Sequence, residues 1–160
     1  KILRTKPIKF LLLGDGPQKN ILKENAKNLE NIIFLEPIPK NKMPKFISNS
    51  DAVIITLKNI PLFKYGVSPN KLYDAYAIGR PVISNIGGNI AIEIDKHKIG
   101  FNSQSEDSTS LAKAIMRLMN LKRADREKMS KKARLLAEKK YSREIIVSKY
   151  NKILNTYIET

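Results

Sequence analysis

The chain has no cysteine and a single histidine, His97. The first absence excludes disulfides and thiolate metal sites. The second leaves no imidazole cluster to hold a metal or move protons, so neither redox nor zinc chemistry is expected, and no metal or cofactor. Long apolar runs are missing too: none approaches the roughly 20 residues of a membrane-crossing helix, and the first residues do not read as a secretory signal. A soluble, cytoplasmic protein is the expectation. Acidic side chains are scarce, 15 against 30 basic ones, for a net charge of +15. There is no internal repeat and no low-complexity segment.

This charge excess has two readings. An anionic partner would answer it: nucleic acid, lipid headgroups or a phosphorylated substrate. Yet only seven of the 30 basic residues are Arg, and Lys, Ile and Asn are abundant together, a bias that AT-rich coding imposes without selection on charge. The last forty residues carry 12 basic and 5 acidic side chains. A basic helical tail of this kind can rest on the anionic inner face of the plasma membrane, each Lys or Arg contributing on the order of 1 kcal/mol. A nucleic-acid-binding module is the alternative from another class. Against it, the chain has no recognised motif of that kind and its charge is spread over ordinary helical surface, so no nucleic-acid partner is expected.

At 160 residues the chain is read as one domain with one core. Three apolar runs, Phe10 to Leu13, Ile32 to Leu35 and Ala52 to Leu57, have strand length and are separated by helix-length polar segments, which is βαβ grammar. Two are nearly continuous in Val, Ile and Leu, as in parallel strands covered on both faces. Helices are predicted over 18 to 29 and 42 to 49, the second with Met43, Phe46 and Ile47 facing the sheet and Pro44 in its first turn. Further strands are expected at Pro81 to Ser84 and near Gly100 to Asn102. From Ser108 onward the pattern is helical, with Leu111, Ala114, Ile115 and Leu118, then Met129, Ala133, Leu136 and Ala137, at helical spacing. The fold class is α/β: a Rossmann-like parallel sheet flanked by helices, with a helical tail.

Residues 66 to 81 carry the most chemistry. Ser68 reads as an N-cap and Pro69 as the first helical residue. The amides of Asn70, Lys71 and Leu72 would then be unpaired donors at the positive end of a helix, beside the Lys71 ammonium, where phosphate binds readily. Asp74 follows Lys71 by three residues on the same helical face, and Gly79 ends the helix. A capped helix start with proline is, taken alone, more often structural than functional. Gly14-Asp15-Gly16 lies at the end of the first strand and reads equally well as a tight turn, since Lys19 stands where a dinucleotide fingerprint has its third glycine. Gly87-Gly88-Asn89 opens another segment near the same sheet end and reads first as a flexible turn. Glu93 and Asp95 are expected in solvent and His97 at the surface. Tyr73 and Tyr76 are read as packing residues, and Tyr65 as a loop residue that could line a pocket.

The stretch from Ser68 to Ile83, Ser-Pro-Asn-Lys-Leu-Tyr-Asp, a small-residue helix and Gly-Arg-Pro-Val-Ile, resembles the nucleotide-sugar-binding half of the retaining GT-B glycosyltransferases of family 4, in the branch that makes capsule, O-antigen and exopolysaccharide sugars. The resemblance extends to Leu11 to Pro17, Asn31 to Leu35, Ser50 to Leu57, Ala133-Arg134 and Tyr141-Ser142, essentially the whole chain. It implies transfer of a sugar from a nucleoside diphosphate donor, expected to be UDP-linked, to a polysaccharide or lipid-linked acceptor. By the same resemblance Lys71 is the catalytic cation at the departing diphosphate. Gly14, Asp15, Gly16, Ser68, Asn70, Lys71 and Leu72 would line the donor, the backbone of Ile38 would meet the base, and Asp74 the ribose hydroxyls. Relatives carry two glutamates with seven residues between them; Asp74 matches the second and Gly66 occupies the place of the first, and the acid at 74 is itself one methylene shorter than the usual Glu. The diphosphate-gripping Arg and Lys of relatives lie about one βα unit before the Gly-Asp-Gly-Pro stretch, but only thirteen residues precede Gly14, and Arg4 and Lys6 are not at that place. The chain is therefore expected to be a fragment of a two-domain enzyme, its amino-terminal partner domain missing, and to be inactive alone. UDP-N-acetylglucosamine 2-epimerases share this architecture and are the nearer alternative; their acid and base residues are not found here.

Overall fold

Two apolar tetrapeptides near the amino end pair as neighbouring strands. In the computed structural model, which describes residues 1–64 and 66–158, β1 (Phe10–Leu13) lies parallel to β2 (Ile32–Leu35), with Phe10 opposite Ile32 and Leu13 opposite Leu35. Tyr65 lies outside the described residues. Parallel strands need a crossover, supplied by α1 (Lys19–Ala26). This helix is shorter than the 18 to 29 expected: beyond it the Leu29 amide donates back to the Ala26 carbonyl in a tight turn. Ala26 and Leu29 are half-buried, whereas Ile21 and Leu22 are exposed.

The chain divides into two compact units, Lys1–Lys45 and Phe46–Thr160, the division falling inside α2 (Met43–Ser48). The second unit holds a three-stranded parallel sheet in the order β3 (Val53–Ile55), β4 (Val82–Ser84), β5 (Gly100–Asn102). Its crossovers are α3 (Asn70–Ile78) and α4 (Asn89–His97). β4 is central and buried throughout, which is why Val82-Ile83 carries no polar alternation. The core gathers Ile55, Leu72, Ala75, Tyr76, Val82, Ile90, Ile94 and Ile99 from this sheet and its helices. Ala133 and Leu136 of α6 (Arg123–Leu136) close it from one side. Each large apolar side chain so buried contributes about 1.5–3 kcal/mol.

Two glycines are fixed by geometry. Gly79 ends α3 in the left-handed conformation, φ 69°, its amide donating to the carbonyls of Ala75 and Tyr76. Gly100 faces the β4 backbone so closely that a Cβ there would sit 1.8 Å from the Val82 carbonyl oxygen.

The carboxyl-terminal stretch is helical, as its periodicity predicts. α5 (Ser108–Met119) is capped by Asp107, whose carboxylate accepts from the Thr109 and Ser110 amides, and it buries Ala114, Ile115 and Leu118. α6 buries Met129, Ala133 and Leu136, then a single π turn (Ala137–Tyr141) leads to α7 (Arg143–Ile158). The expected fold class, parallel sheets flanked by helices with a helical end, is the one observed.

Three local expectations are corrected. The Gly87-Gly88-Asn89 segment opens a full helix, α4, with Gly88 as its cap at φ 64° and ψ −141° and with Ile90 and Ile94 buried one turn apart. Glu93, expected in solvent, is only 8% exposed. His97 is half-buried at the end of α4.

Candidate functional site

Because β3, β4 and β5 run parallel and α3 and α4 return the chain between them, both helices begin at the carboxyl edge of the sheet. Open α/β sheets bind ligands at that edge. α3 starts one residue later than its sequence suggests. Pro69 has ψ 123°, an extended value, so it is the N-cap and Asn70 the first helical residue. Ser68 makes no capping bond; its hydroxyl pairs at 2.8 Å with that of Tyr73. The Leu72 amide, expected to be unpaired, donates to the Pro69 carbonyl at 2.9 Å. The amides of Asn70 and Lys71 have no carbonyl a turn earlier within the helix to receive them. Lys71 is exposed on this first turn, where the helix dipole favours an anion, and Asp74, exposed too, follows it by three residues.

A cavity of about 240 Å³ opens at the same edge. Leu57, Lys58, Ile60 and Phe63 line it from the loop after β3, with Asn85, Ile86, Gly87 and Gly88 from the turn after β4. Asn85 organises these walls. Its side-chain amide donates to the Leu57 carbonyl and accepts from the Leu57 amide, both at 2.8 Å, while Ser105 donates its hydroxyl to the Asn85 carbonyl. Sequence reasoning missed Asn85, since nothing in Ser-Asn-Ile-Gly-Gly marks an asparagine that clamps a loop 28 residues away.

Behind α3 lies a polar cluster inside the core. The Glu93 carboxylate receives the Tyr141 hydroxyl at 2.6 Å and the Lys140 ammonium. Burial and the bond to Glu93 push the Tyr141 phenol up to about 12, and the Glu93 bond raises the Lys140 ammonium above its ordinary value. Tyr76 is fully buried, its hydroxyl has no hydrogen-bond partner among the described residues, and burial raises that phenol further still. The rings of Tyr73, Tyr76 and Tyr141 pack together, Tyr73 edge-on to Tyr76 and tilted by 54° against Tyr141 with centroids 4.7 Å apart.

The remaining candidates belong to the first unit. Gly14, at φ 131°, leaves β1, and its amide donates to the Leu35 carbonyl. The Asp15 carboxylate accepts from the Gly16 amide at 2.9 Å. Lys19, at the start of α1, pairs with Glu36 at 2.7 Å and lies 3.9 Å from Asp15. Ile38 is half-buried just after β2. Of the sequence candidates, Ser68, Asn70, Lys71, Leu72 and Asp74 are thus gathered on one helix start, and Gly14, Asp15 and Gly16 on one turn.

A family model described as glycosyl transferases group 1 matches residues 1–121. The chain belongs to the group 1 glycosyltransferases. No curated protein sequence matches it. Among solved structures, this group 1 chain is similar to an S. aureus TarM variant in complex with fondaparinux, alpha-GlcNAc-glycerol and UDP, at 21% identity and a TM-score of 0.78 over 96% of this chain and 30% of that one. It is also similar to Anabaena HepE in complex with UDP, at 18% identity and a TM-score of 0.77 over 99% of this chain and 43% of that one. Sucrose-phosphate synthase from Thermosynechococcus elongatus matches at 18% identity and 0.79, over 98% and 40%. At such identities the likeness is one of fold, the GT-B glycosyltransferase fold. The chain spans well under half the length of these proteins.

Proposed function

We propose that this chain is the donor-binding domain of a longer, two-domain retaining glycosyltransferase that moves a sugar from a nucleoside diphosphate, UDP by preference, to a polysaccharide or lipid-linked acceptor. The observation that carries the reading is the start of α3, where the amides of Asn70 and Lys71, the Lys71 ammonium and the Asp74 carboxylate share one exposed helical turn. A leaving diphosphate gains negative charge in the transition state, and fixed amides with an ammonium stabilise it there more than in the ground state. Lys71 is the residue assigned to that role. Asp74, with two acceptor oxygens, suits the vicinal hydroxyls of a ribose. Gly14, Asp15 and Gly16 would approach the donor through their backbone, and Ile38 the base. The UDP held by TarM and HepE in their complexes supports uridine as the base. The acceptor would come from the partner domain, so the chain alone is expected to bind donor and transfer nothing. Work at the cytoplasmic face of a membrane fits the basic tail.

Titration of UDP, GDP and ADP into the chain, followed by amide NMR, tests this reading. Selective shifts at residues 68–74 with UDP are expected. Lys71→Ala should weaken UDP by about tenfold, the worth of one exposed charge-assisted contact, and Asp74→Asn should weaken UDP but not free diphosphate. Absence of shifts with every nucleotide, or unchanged affinity in Lys71→Ala, would overturn it.

A further inference from the structure

We infer that Tyr73 is a positioning residue, holding the start of α3 in its anion-binding shape by joining Ser68 to the buried Glu93 cluster. The Ser68 side chain, expected to cap the helix, is instead held by the Tyr73 hydroxyl at 2.8 Å, so the entrance, extended at Pro69, is tied to the first turn of α3 through a side chain and not through a backbone cap. Tyr73 is half-buried, and its ring rests on that of Tyr141 at 4.7 Å. The Tyr141 hydroxyl is in turn bound to Glu93, a carboxylate with Lys140 beside it and little access to water. The chain of contact runs from α4 through the π turn to α3 and its entrance. The links are a carboxylate bond of 2.6 Å, a tilted ring contact at 4.7 Å and a hydroxyl pair at 2.8 Å. Such a series removes rotamer freedom from the loop before ligand arrives, so less is lost on binding. The assignment rests on the donor-binding reading only for its effect on affinity; the ordering of the entrance stands without it.

Tyr73→Phe keeps the ring contact with Tyr141 and deletes only the hydroxyl that reaches Ser68. In ligand-free protein, the ¹⁵N order parameters of Asn70 and Lys71 should fall in this variant relative to wild type. UDP affinity should weaken by about fivefold, the worth of one net hydrogen bond. Ser68→Ala should do the same, and the double variant should be no worse than either single, because both delete one link. Unchanged order parameters would overturn the inference whatever UDP does. So would additive effects of the two substitutions, or lowered order parameters with wild-type UDP affinity. Should wild type itself fail to bind UDP, the donor-binding reading falls, and the order parameters alone decide what Tyr73 does.

Discussion

Replacing Gly100 by alanine should cost the Phe46–Thr160 unit more than any other single methyl added to it. The new carbon would lie 1.8 Å from the Val82 carbonyl oxygen, 2.8 Å from the carbonyl carbon and 2.9 Å from the Val82 nitrogen. All three are backbone atoms, so no side chain can turn aside. Relief requires β4 and β5 to part by more than about 1 Å, beyond the slack that a hydrogen bond of about 2.7–3.2 Å tolerates. The bonds flanking the contact, Val82 amide to Ile99 carbonyl at 3.1 Å and Ser103 amide to Ser84 carbonyl at 2.8 Å, would be the first to go. Each is worth about 1 kcal/mol net, and a buried group left without a partner costs about 1–3 kcal/mol more. Val82 and Ser84 are both fully buried, so the sum is about 4 kcal/mol or above, a large share of a typical domain's stability. Stiffening of the unfolded chain by alanine returns under about 1 kcal/mol. In thermal unfolding followed by circular dichroism, Gly100→Ala should fall by roughly 10 °C or fail to fold. Gly87→Ala, with nothing within 4 Å of its added carbon, should stay within about 0.5 kcal/mol of wild type. Equal midpoints for the two variants would refute the reasoning.

Alkali should loosen this unit through Tyr141. Its folded pKa, about 12, lies above the ordinary phenol value, so its contribution is fully present below about pH 10 and is lost as pH rises through 12. Stability measured by urea titration should drop less steeply between pH 10 and 12 in Tyr141→Phe than in wild type, and equal slopes would contradict the assignment. The two partners of the Glu93 cluster should weigh unequally. Lys140 is about half exposed, so Lys140→Ala should cost under about 1 kcal/mol after solvent screening. Glu93→Ala strips the buried acceptor from Tyr141 and should cost about 2–3 kcal/mol; matching losses in chemical denaturation would show the carboxylate to be solvated in function if not in position.

Features set by neighbours in sequence were legible in advance. β1 and β2 fall on their expected residues because each is a short apolar run of strand length set between polar segments, although neither is buried and Leu11 is exposed. Gly79 as the end of α3, and the buried stripe of Met129, Ala133 and Leu136 on α6, follow from conformational freedom and helical period in the same way. The family resemblance, too, was a matter of local strings, and the match over residues 1–121 agrees with it at the level of group 1 glycosyltransferases. α4 was missed although Ile90 and Ile94 have helical spacing: its alternating isoleucines also suit a strand, and a Gly-Gly opening reads as a turn before it reads as a cap.

The sequence by itself determined the parallel α/β class, the helical end and, to within one residue, the start of the helix that carries Asn70, Lys71 and Asp74, because these rest on periodicity and turn residues within a few positions. Only the tertiary structure decided that Asn85 clamps the loop after β3 and that Glu93 is buried against Lys140 and Tyr141. Asn85 and Glu93 find their partners 28 and 47–48 residues away. A polar side chain chooses its partner by distance in space, and folding alone brings α4, the π turn and α3 close enough for that choice to be made.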